Sequence, residues 1–178
     1  MLHKFQEWAQ REHRTPHRVL SLVAGGAVFG FGVPIVLVAL AAWLDRILHL
    51  PRLIYGQLNI SLGLLMAFGG WALAAWAVQV QVVEGRGTPV PLVPTRNLVV
   101  RGPYAYCRNP MALGVILFYL GVAVWLGSPA VLVAVLLIAA VLLLYFRYIE
   151  EKELEMRFGQ AYLEYKRTTP FLIPRLRR

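Results

Sequence analysis

Two adjacent glutamates, Glu150 and Glu151, follow the last long apolar block of the chain. Unpaired carboxylates are costly at the boundary of such a block, so we expect a cationic partner, either a ligand or an arginine of a distant loop. Arg147 stands three residues before Glu150 and four before Glu151, and either pair could form a salt bridge on one helix face. A carboxylate at this position could also take a proton from a reacting amine.

A second polar island, RGPYAYCRNP at residues 101–110, interrupts long apolar runs. Its prolines indicate a turn, and Pro110 suits the first position of a following helix, with Asn109 as the N-cap. A helix N-terminus beside the arginines of the island, including Arg108, attracts a carboxylate. Tyr104 offers a flat face to a purine or a sulfonium cation. A capped helix with interfacial tyrosines explains the same residues, and both interpretations stay open here.

Metal chemistry is not expected. The chain has one cysteine and four histidines, and none of them shows the spacing of a structural metal site. A single cysteine also excludes an intramolecular disulfide.

Four uncharged blocks are candidate membrane-spanning helices, since such a helix needs about 20 apolar residues. These helices would position the two polar stretches. The blocks are residues 19–44, 57–83, 111–126 and 129–146. Only Gly127-Ser128 separates the last two blocks, which predicts a tight helical hairpin. We therefore predict an all-α integral membrane protein with about four transmembrane helices, a cytosolic loop and a C-terminal amphipathic helix that bends at Gly159. A soluble protein with buried helices is the less favoured alternative.

Positive charge is strongly segregated between the two sides of this predicted bundle. Of the 18 Lys and Arg residues, the first loop carries two, and the N-terminal segment, second loop and tail carry the others. The positive-inside rule then places both termini, the decapeptide and the tail in the cytoplasm, and we expect the cytoplasmic membrane of a bacterium or archaeon. The net charge of +9 is explained by anionic membrane lipids, so lipids rather than nucleic acid are the expected partners.

We interpret residues 1–178 as a single membrane domain. Residues 1–84 would hold an interfacial helix, over residues 2–18, and the first two spans. Residues 85–178 would hold the loop, which begins with an extended proline-rich strap, the hairpin and the C-terminal helix.

Two ordered motifs of the second half resemble a known family. The stretches NLVVRGPYAYCRNPMALG and EEKELEMRFGQAYLEYKRTTPFLIP are similar to the isoprenylcysteine carboxyl methyltransferase family, whose wider group includes phospholipid methyltransferases. The resemblance covers residues 85–175. It implies a membrane methyltransferase that uses S-adenosylmethionine without a Rossmann domain and encloses it on the cytosolic side between loop and tail.

The same resemblance implies the site residues. Two positions depart from the family pattern, which often has His at Asn109 and Tyr at Ala112, and these departures leave the acceptor open. The implied cofactor contacts are Arg96, Asn97, Leu98, Val99, Tyr104, Arg108, Asn109, Pro110, Met111, Ala112 and Glu150, and the implied catalytic residues are Arg147, Glu150 and Glu151, with no metal ligand.

The predicted function is therefore methyl transfer from S-adenosylmethionine to a lipophilic acceptor, which could be a carboxylate, a thiol or a lipid amine. A noncatalytic membrane scaffold or small transporter on the same fold is the alternative. A membrane reductase is a third hypothesis, and the short chain argues against it because such enzymes have many more spans. The sequence does not indicate an oligomeric state.

Overall fold

A computed structural model describes residues 23, 25–53, 56–85 and 95–175. The predicted interfacial helix over residues 2–18 and most of the proline-rich strap lie outside these residues. Within the described ranges the chain is helical and contains no strand. A π-helical turn, Val28–Gly32, leads into α1, and a 3₁₀ turn, Gly102–Ala105, precedes α3. The α-helices are α1 Val33–Ile47, α2 Gln57–Val83, α3 Pro110–Leu126, α4 Pro129–Tyr145, α5 Glu151–Phe158 and α6 Gln160–Thr168.

Among the residues that the structure describes, two helices are long and apolar enough to cross a membrane. One is α2, and the other is the continuous helix Pro129–Phe158, which runs through α4, the π-helical segment Phe146–Glu150 and α5. At 17 residues, α3 is shorter than the ~20 residues that a perpendicular span requires. Large apolar side chains on α2 and α4, such as Phe68 and Leu137, face outward, as they do on a lipid-exposed surface. Length, composition and exposure support a membrane protein.

Glycines bring α2 and α3 into close backbone contact. A Cβ atom added at Gly63 or Gly70 of α2 would collide with the backbone of α3, and one added at Gly114 or Gly121 of α3 would collide with α2. Small residues at a helix interface replace side-chain contact with backbone contact, which favours association where no hydrophobic effect drives it. The α2–α3 pair is thus the rigid centre that carries the loop at residues 95–109.

The α3–α4 hairpin forms as predicted. Gly127 ends α3 in the left-handed conformation, with φ 64°, and the Ser128 side chain caps α4 by accepting a hydrogen bond from the Val131 amide. At the same end of the bundle, the Leu53 amide donates to the Gly127 carbonyl at 3.0 Å, and the Asn59 amide group donates to the Trp125 carbonyl at 3.1 Å. The first and third loops therefore lie together at one end of the bundle. The second loop and the tail lie at the other end.

The C-terminal amphipathic segment is two helices rather than one. Gly159 has φ 54° and ψ −130° and separates α5 from α6, which confirms the predicted bend. Such a backbone conformation is essentially reserved for glycine. The turn folds α6 back, so that Tyr162 and Tyr165 are buried against the loop that precedes α3.

Candidate functional site

Arg108 fastens the loop to the tail. Its side chain is 5% exposed, and its Nε and Nη2 donate to Oε1 of Glu151 at 3.0 and 2.6 Å. Nη1 donates to the carbonyl oxygens of Lys166 and Thr169 at 2.8 and 2.6 Å. A guanidinium has five N–H donors, and four hydrogen bonds to the tail use most of them. In this structure the predicted cofactor contact Arg108 therefore binds the tail.

Backbone hydrogen bonds add to these contacts of Arg108 with the tail. Together they form what we call the loop–tail junction. The Arg108 amide donates to the Pro170 carbonyl at 2.9 Å, and the Asn109 amide donates to the Phe171 carbonyl at 3.1 Å. Further along, the Arg175 amide donates to the Tyr106 carbonyl at 3.1 Å. The tail after α6 therefore runs beside residues 106–109 and covers the start of α3.

Asn109 occupies the N-cap position of α3, but the prediction that its side chain caps the helix is wrong. No cap hydrogen bond forms, and Nδ2 instead donates to the Phe171 carbonyl at 3.4 Å. The Phe171 carbonyl lies over the start of the helix, because it also accepts from the Asn109 backbone amide. Pro110, Met111 and Ala112 form the first turn of α3, where Pro110 and Ala112 are buried and Met111 is half-buried.

The two adjacent glutamates have different surroundings. Glu151 is 3% exposed and lies among three cations, with Arg108 Nη2 at 2.6 Å, Lys166 Nζ at 2.9 Å and Arg147 Nη1 at 3.4 Å. The pairing with Arg147 is therefore the one across four residues. Consecutive helical residues point about 100° apart, so Glu150 faces elsewhere. Within the described ranges Glu150 accepts no hydrogen bond and forms no salt bridge.

Glu150 lies past the apolar part of the long helix and has a raised pKa. Burial is the main cause of this rise. Together with the nearby carboxylates Glu153 and Glu151, it raises the pKa of Glu150 from 4.5 to about 7, although Arg157 opposes the rise. Desolvation and like charges both disfavour an ionised carboxyl. A cation beside Glu150 would relieve both effects.

Tyr104 lies on the Glu150 side of this junction. Burial, followed by the charge of Glu150, raises the pKa of Tyr104, so its hydroxyl stays protonated. That hydroxyl donates to Oε1 of Gln81 at 3.1 Å, and the Tyr104 carbonyl accepts from the Tyr165 hydroxyl at 2.7 Å. Gln81 was not among the predicted site residues, and its only sequence signal was a polar side chain near the end of an apolar block.

The predicted cofactor stretch at residues 96–99 is fixed to the end of α2. The Arg96 amide donates to the Gly85 carbonyl at 2.7 Å, and Asn97 Nδ2 donates to the Glu84 carbonyl at 3.0 Å. Leu98 is half-buried and Val99 is buried. Arg157 of α5 donates to the carbonyl of Thr95 and thereby joins this stretch to the helix that follows Glu150. Arg157 also escaped the sequence prediction, because nothing in its local pattern reveals a partner 62 residues away.

Comparison with known families agrees with this geometry. A family model described as phospholipid methyltransferase matches residues 58–161, which is more than half of the 178-residue chain. The chain belongs to the phospholipid methyltransferase family. The matched segment includes α2, the loop, the α3–α4 hairpin and both glutamates. It ends before Lys166 and the rest of the tail that closes over Arg108.

The solved structures provide a second comparison for this phospholipid methyltransferase family member. The chain is similar to the eukaryotic intramembrane Ras methyltransferase ICMT, an isoprenylcysteine carboxyl methyltransferase, with a TM-score of 0.51 and 23% sequence identity. The similarity covers 92% of this chain and 54% of that one, so the chain spans about half the length of that protein. At this identity the similarity shows a common fold. No curated protein matches the chain.

S-adenosylmethionine, which phospholipid methyltransferase family members generally use, carries a sulfonium and an ammonium group, both cationic, and an adenine ring. Glu150 provides a half-buried carboxyl that has a raised pKa and forms no hydrogen bond or salt bridge among the described residues, so a cation beside it would be favourable. Tyr104, whose pKa the charge of Glu150 raises, provides an aromatic ring on the same side of the junction. The residues on the Glu150 side therefore fit such a group, whereas the Glu151 carboxylate already has three cations around it.

Proposed function

We propose that this protein is an integral membrane methyltransferase that transfers a methyl group from S-adenosylmethionine to a lipophilic acceptor. The observation that carries the proposal is Glu150, a half-buried carboxyl with no hydrogen bond or salt bridge among the described residues. It lies on the same side of the loop–tail junction as Tyr104, whose pKa its charge raises. Membership of the phospholipid methyltransferase family supports the same activity. Glu150 would bind the donor, together with Tyr104 and the stretch at residues 96–99.

The side chains of this protein need to take little part in the bond-making step of this reaction. When bound, S-adenosylmethionine supplies a methyl group that is already activated on a sulfonium sulfur, so the protein mainly orients donor and acceptor. A carboxylate or thiolate acceptor arrives ionised and needs no base. An amine must lose a proton, and Glu150, with a pKa of about 7, is suited to accept one near neutral pH.

The three predicted catalytic residues divide into two roles under this proposal. Glu150 contacts the reactants, and Arg147, whose side chain is 47% exposed, remains available to an anionic part of the acceptor. Glu151 is a positioning residue, because its carboxylate holds Arg108 and Lys166 and so keeps the loop and tail together. Asn109 and Ala112, which depart from the family pattern, lie at the start of α3 and would shape the cofactor pocket or the acceptor pocket.

We also propose that the loop–tail end of the bundle faces the cytoplasm. In the sequence, the second loop carries four arginines and the segment after position 146 carries eight Lys or Arg residues, whereas the first loop carries two. This asymmetry supports the orientation. The lipophilic acceptor would then enter from the bilayer between the helices, and a lipid amine, a prenylcysteine carboxylate and an apolar thiol are the acceptor classes to test.

Binding of radiolabelled S-adenosylmethionine to the purified protein in detergent tests the proposal. We expect saturable binding, and we expect Glu150→Gln to weaken it roughly tenfold or more through loss of a charge-assisted contact. Glu164→Gln is the matched control, because Glu164 is exposed and undergoes the same chemical change away from the site. Label transferred to added lipids would then identify the acceptor class.

A folded protein that does not bind the donor would refute the methyltransferase proposal and favour the scaffold or transporter alternative. The same preparation, challenged with NADPH in a thermal-shift assay, tests the reductase hypothesis. Stabilisation by NADPH and not by S-adenosylmethionine would support that hypothesis.

A further inference from the structure

A cationic cavity of about 370 Å³ lies on the Glu151 side of the junction. It is bounded by the π-helical segment after α4, the last turn of α6 and the tail that follows. Its volume falls within the range of ~300–1,000 Å³ that is usual for small-molecule sites. Five positively charged residues line it: Arg108, Arg147, Lys166, Arg167 and Arg175.

The acidic residues near this cavity neutralise only part of its charge. Glu151 pairs with Arg108, Arg147 and Lys166, and Glu155 pairs with Lys166 at 2.6 Å. Arg167 and Arg175 are exposed and pair with no acid among the described residues. Two cationic side chains thus remain to bind an anion in addition to the three that Glu151 holds in place.

The wall of the cavity is preorganised by an aromatic ring. The guanidinium carbons of Arg147 and Arg108 lie 5.3 and 5.9 Å from the centroid of the Phe171 ring, within the range of cation–π contacts. Phe171 is itself held by its carbonyl, which accepts from the Asn109 amide at 3.1 Å. The positions of Arg147 and Arg108 are therefore fixed by contacts that do not depend on a ligand.

An apolar surface adjoins the charged cavity. Ile173, two residues before Arg175, is 80% exposed, and Tyr148 and Ile149, which follow Arg147, are 62% and 56% exposed. These exposed apolar side chains belong to the π-helical segment and to the tail, the same two segments that bound the cavity. A ligand that suits both parts has an anionic head and hydrocarbon chains, and arginine side chains match a phosphate group in bidentate geometry.

We propose that this cavity binds the phosphate group of an anionic phospholipid, whose acyl chains lie along the adjoining apolar surface. The site includes neither Glu150 nor Tyr104, so it is separate from the proposed donor site. It shares Arg147 with the proposed acceptor site, and the substitutions in the test leave Arg147 unchanged. Bound lipid would hold the tail at the membrane surface and keep the loop–tail junction closed.

The test measures binding of short-chain lipids to the purified full-length protein in a nonionic detergent. The probes are dioctanoyl phosphatidylglycerol, dioctanoylglycerol, which has the same chains without phosphate, and inorganic phosphate. The test variant is the double substitution Arg167→Gln/Arg175→Gln. The control is Arg46→Gln/Arg101→Gln, which removes the same charge from two exposed residues outside the cavity. Thermal unfolding without lipid checks that each variant is folded.

We expect phosphatidylglycerol to bind the wild-type protein and the control equally, and to bind the test variant roughly tenfold or more weakly. Replacement of both arginines with lysine, which keeps the charge but not the bidentate geometry, should recover part of the affinity. Equal binding to the test and control variants would overturn the proposal. Binding of dioctanoylglycerol or of inorganic phosphate as tight as that of phosphatidylglycerol would also overturn it, because the ligand would then not be an anionic lipid.

Discussion

Exchange of either adjacent glutamate for glutamine should separate the stability of the loop–tail junction from donor binding. Glu151→Gln removes a charge that is 3% exposed and lies within 3.4 Å of three cations. Glu150→Gln is the same chemical change one residue away, at a carboxyl without a partner in the described part of the chain. We expect Glu151→Gln to destabilise the protein and Glu150→Gln to leave the stability unchanged or slightly higher.

The magnitude follows from what Glu151→Gln leaves behind. Removal of one partner of a buried ion pair usually costs about 3–5 kcal/mol. Arg108 would retain the carbonyls of Lys166 and Thr169 as acceptors, and Lys166 would retain Glu155, so we expect a value near the lower end, about 3 kcal/mol. For a chain of this length that corresponds to a decrease in Tm of roughly 6–12 °C.

The opposite expectation for Glu150 follows from the sign of its pKa shift. The pKa is raised from 4.5 to about 7, so ionisation of Glu150 opposes folding. The penalty grows between these two pH values and is fully present above pH 7. Glutamine removes it, which is why Glu150→Gln should not lower the Tm at pH 8.

Thermal unfolding of the purified variants in detergent, followed by circular dichroism at pH 8, is the measurement. Donor binding is measured on the same samples well below their Tm values. We predict loss of stability in Glu151→Gln and loss of donor binding in Glu150→Gln. Equal decreases in Tm for the two variants, or a larger decrease for Glu150→Gln, would refute the assignment of Glu151 as the residue that holds the junction.

Three further predictions concern pH and the glycines. Affinity for S-adenosylmethionine, measured by isothermal titration calorimetry, should rise about tenfold from pH 6 to pH 8 as Glu150 ionises. The affinity of Glu150→Gln should not change with pH. A wild-type affinity that does not change with pH would count against Glu150 as the donor contact. Gly70→Val should prevent close packing of α2 on α3, since the added Cβ would meet the backbone of Phe118 and Gly114. Its yield of folded protein on size-exclusion chromatography should fall well below that of Gly69→Val, whose Cβ meets nothing within 4 Å. Gly159→Ala should cost about 1–3 kcal/mol because φ is +54° there, whereas Gly69→Ala in a regular helix should be neutral or stabilising in the same unfolding assay.

Local signals predicted most of the helical framework. The apolar block at residues 57–83 is α2 without change, and Pro110 begins α3 as its fixed φ and missing N–H donor favour. Gly127 and Ser128 end one helix and cap the next, so the hairpin was also readable. Each of these features depends on residues that are neighbours in the chain, and for this reason the sequence carries them.

Local patterns failed where a side chain bonds to a segment that is distant in the sequence. Asn109 satisfies every rule for an N-cap, yet its side chain donates to the carbonyl of Phe171, 62 residues away. Gln81 and Arg157 gave no signal that they would contact the loop. Their partners become neighbours only after the loop and the tail have packed on the end of the α2–α3 pair.

By itself, the sequence determined a chain of apolar helices with a basic loop and a basic tail, and it indicated the family and the two acidic residues of interest. Only the tertiary structure decided which of the two glutamates forms salt bridges with the loop and the tail. Glu150 and Glu151 are identical in type, and their side chains differ by about 100° around the helix axis. Packing of the long helix on its neighbours fixes its rotation, and that rotation directs Glu151 to Arg108 and Lys166 and leaves Glu150 near Tyr104.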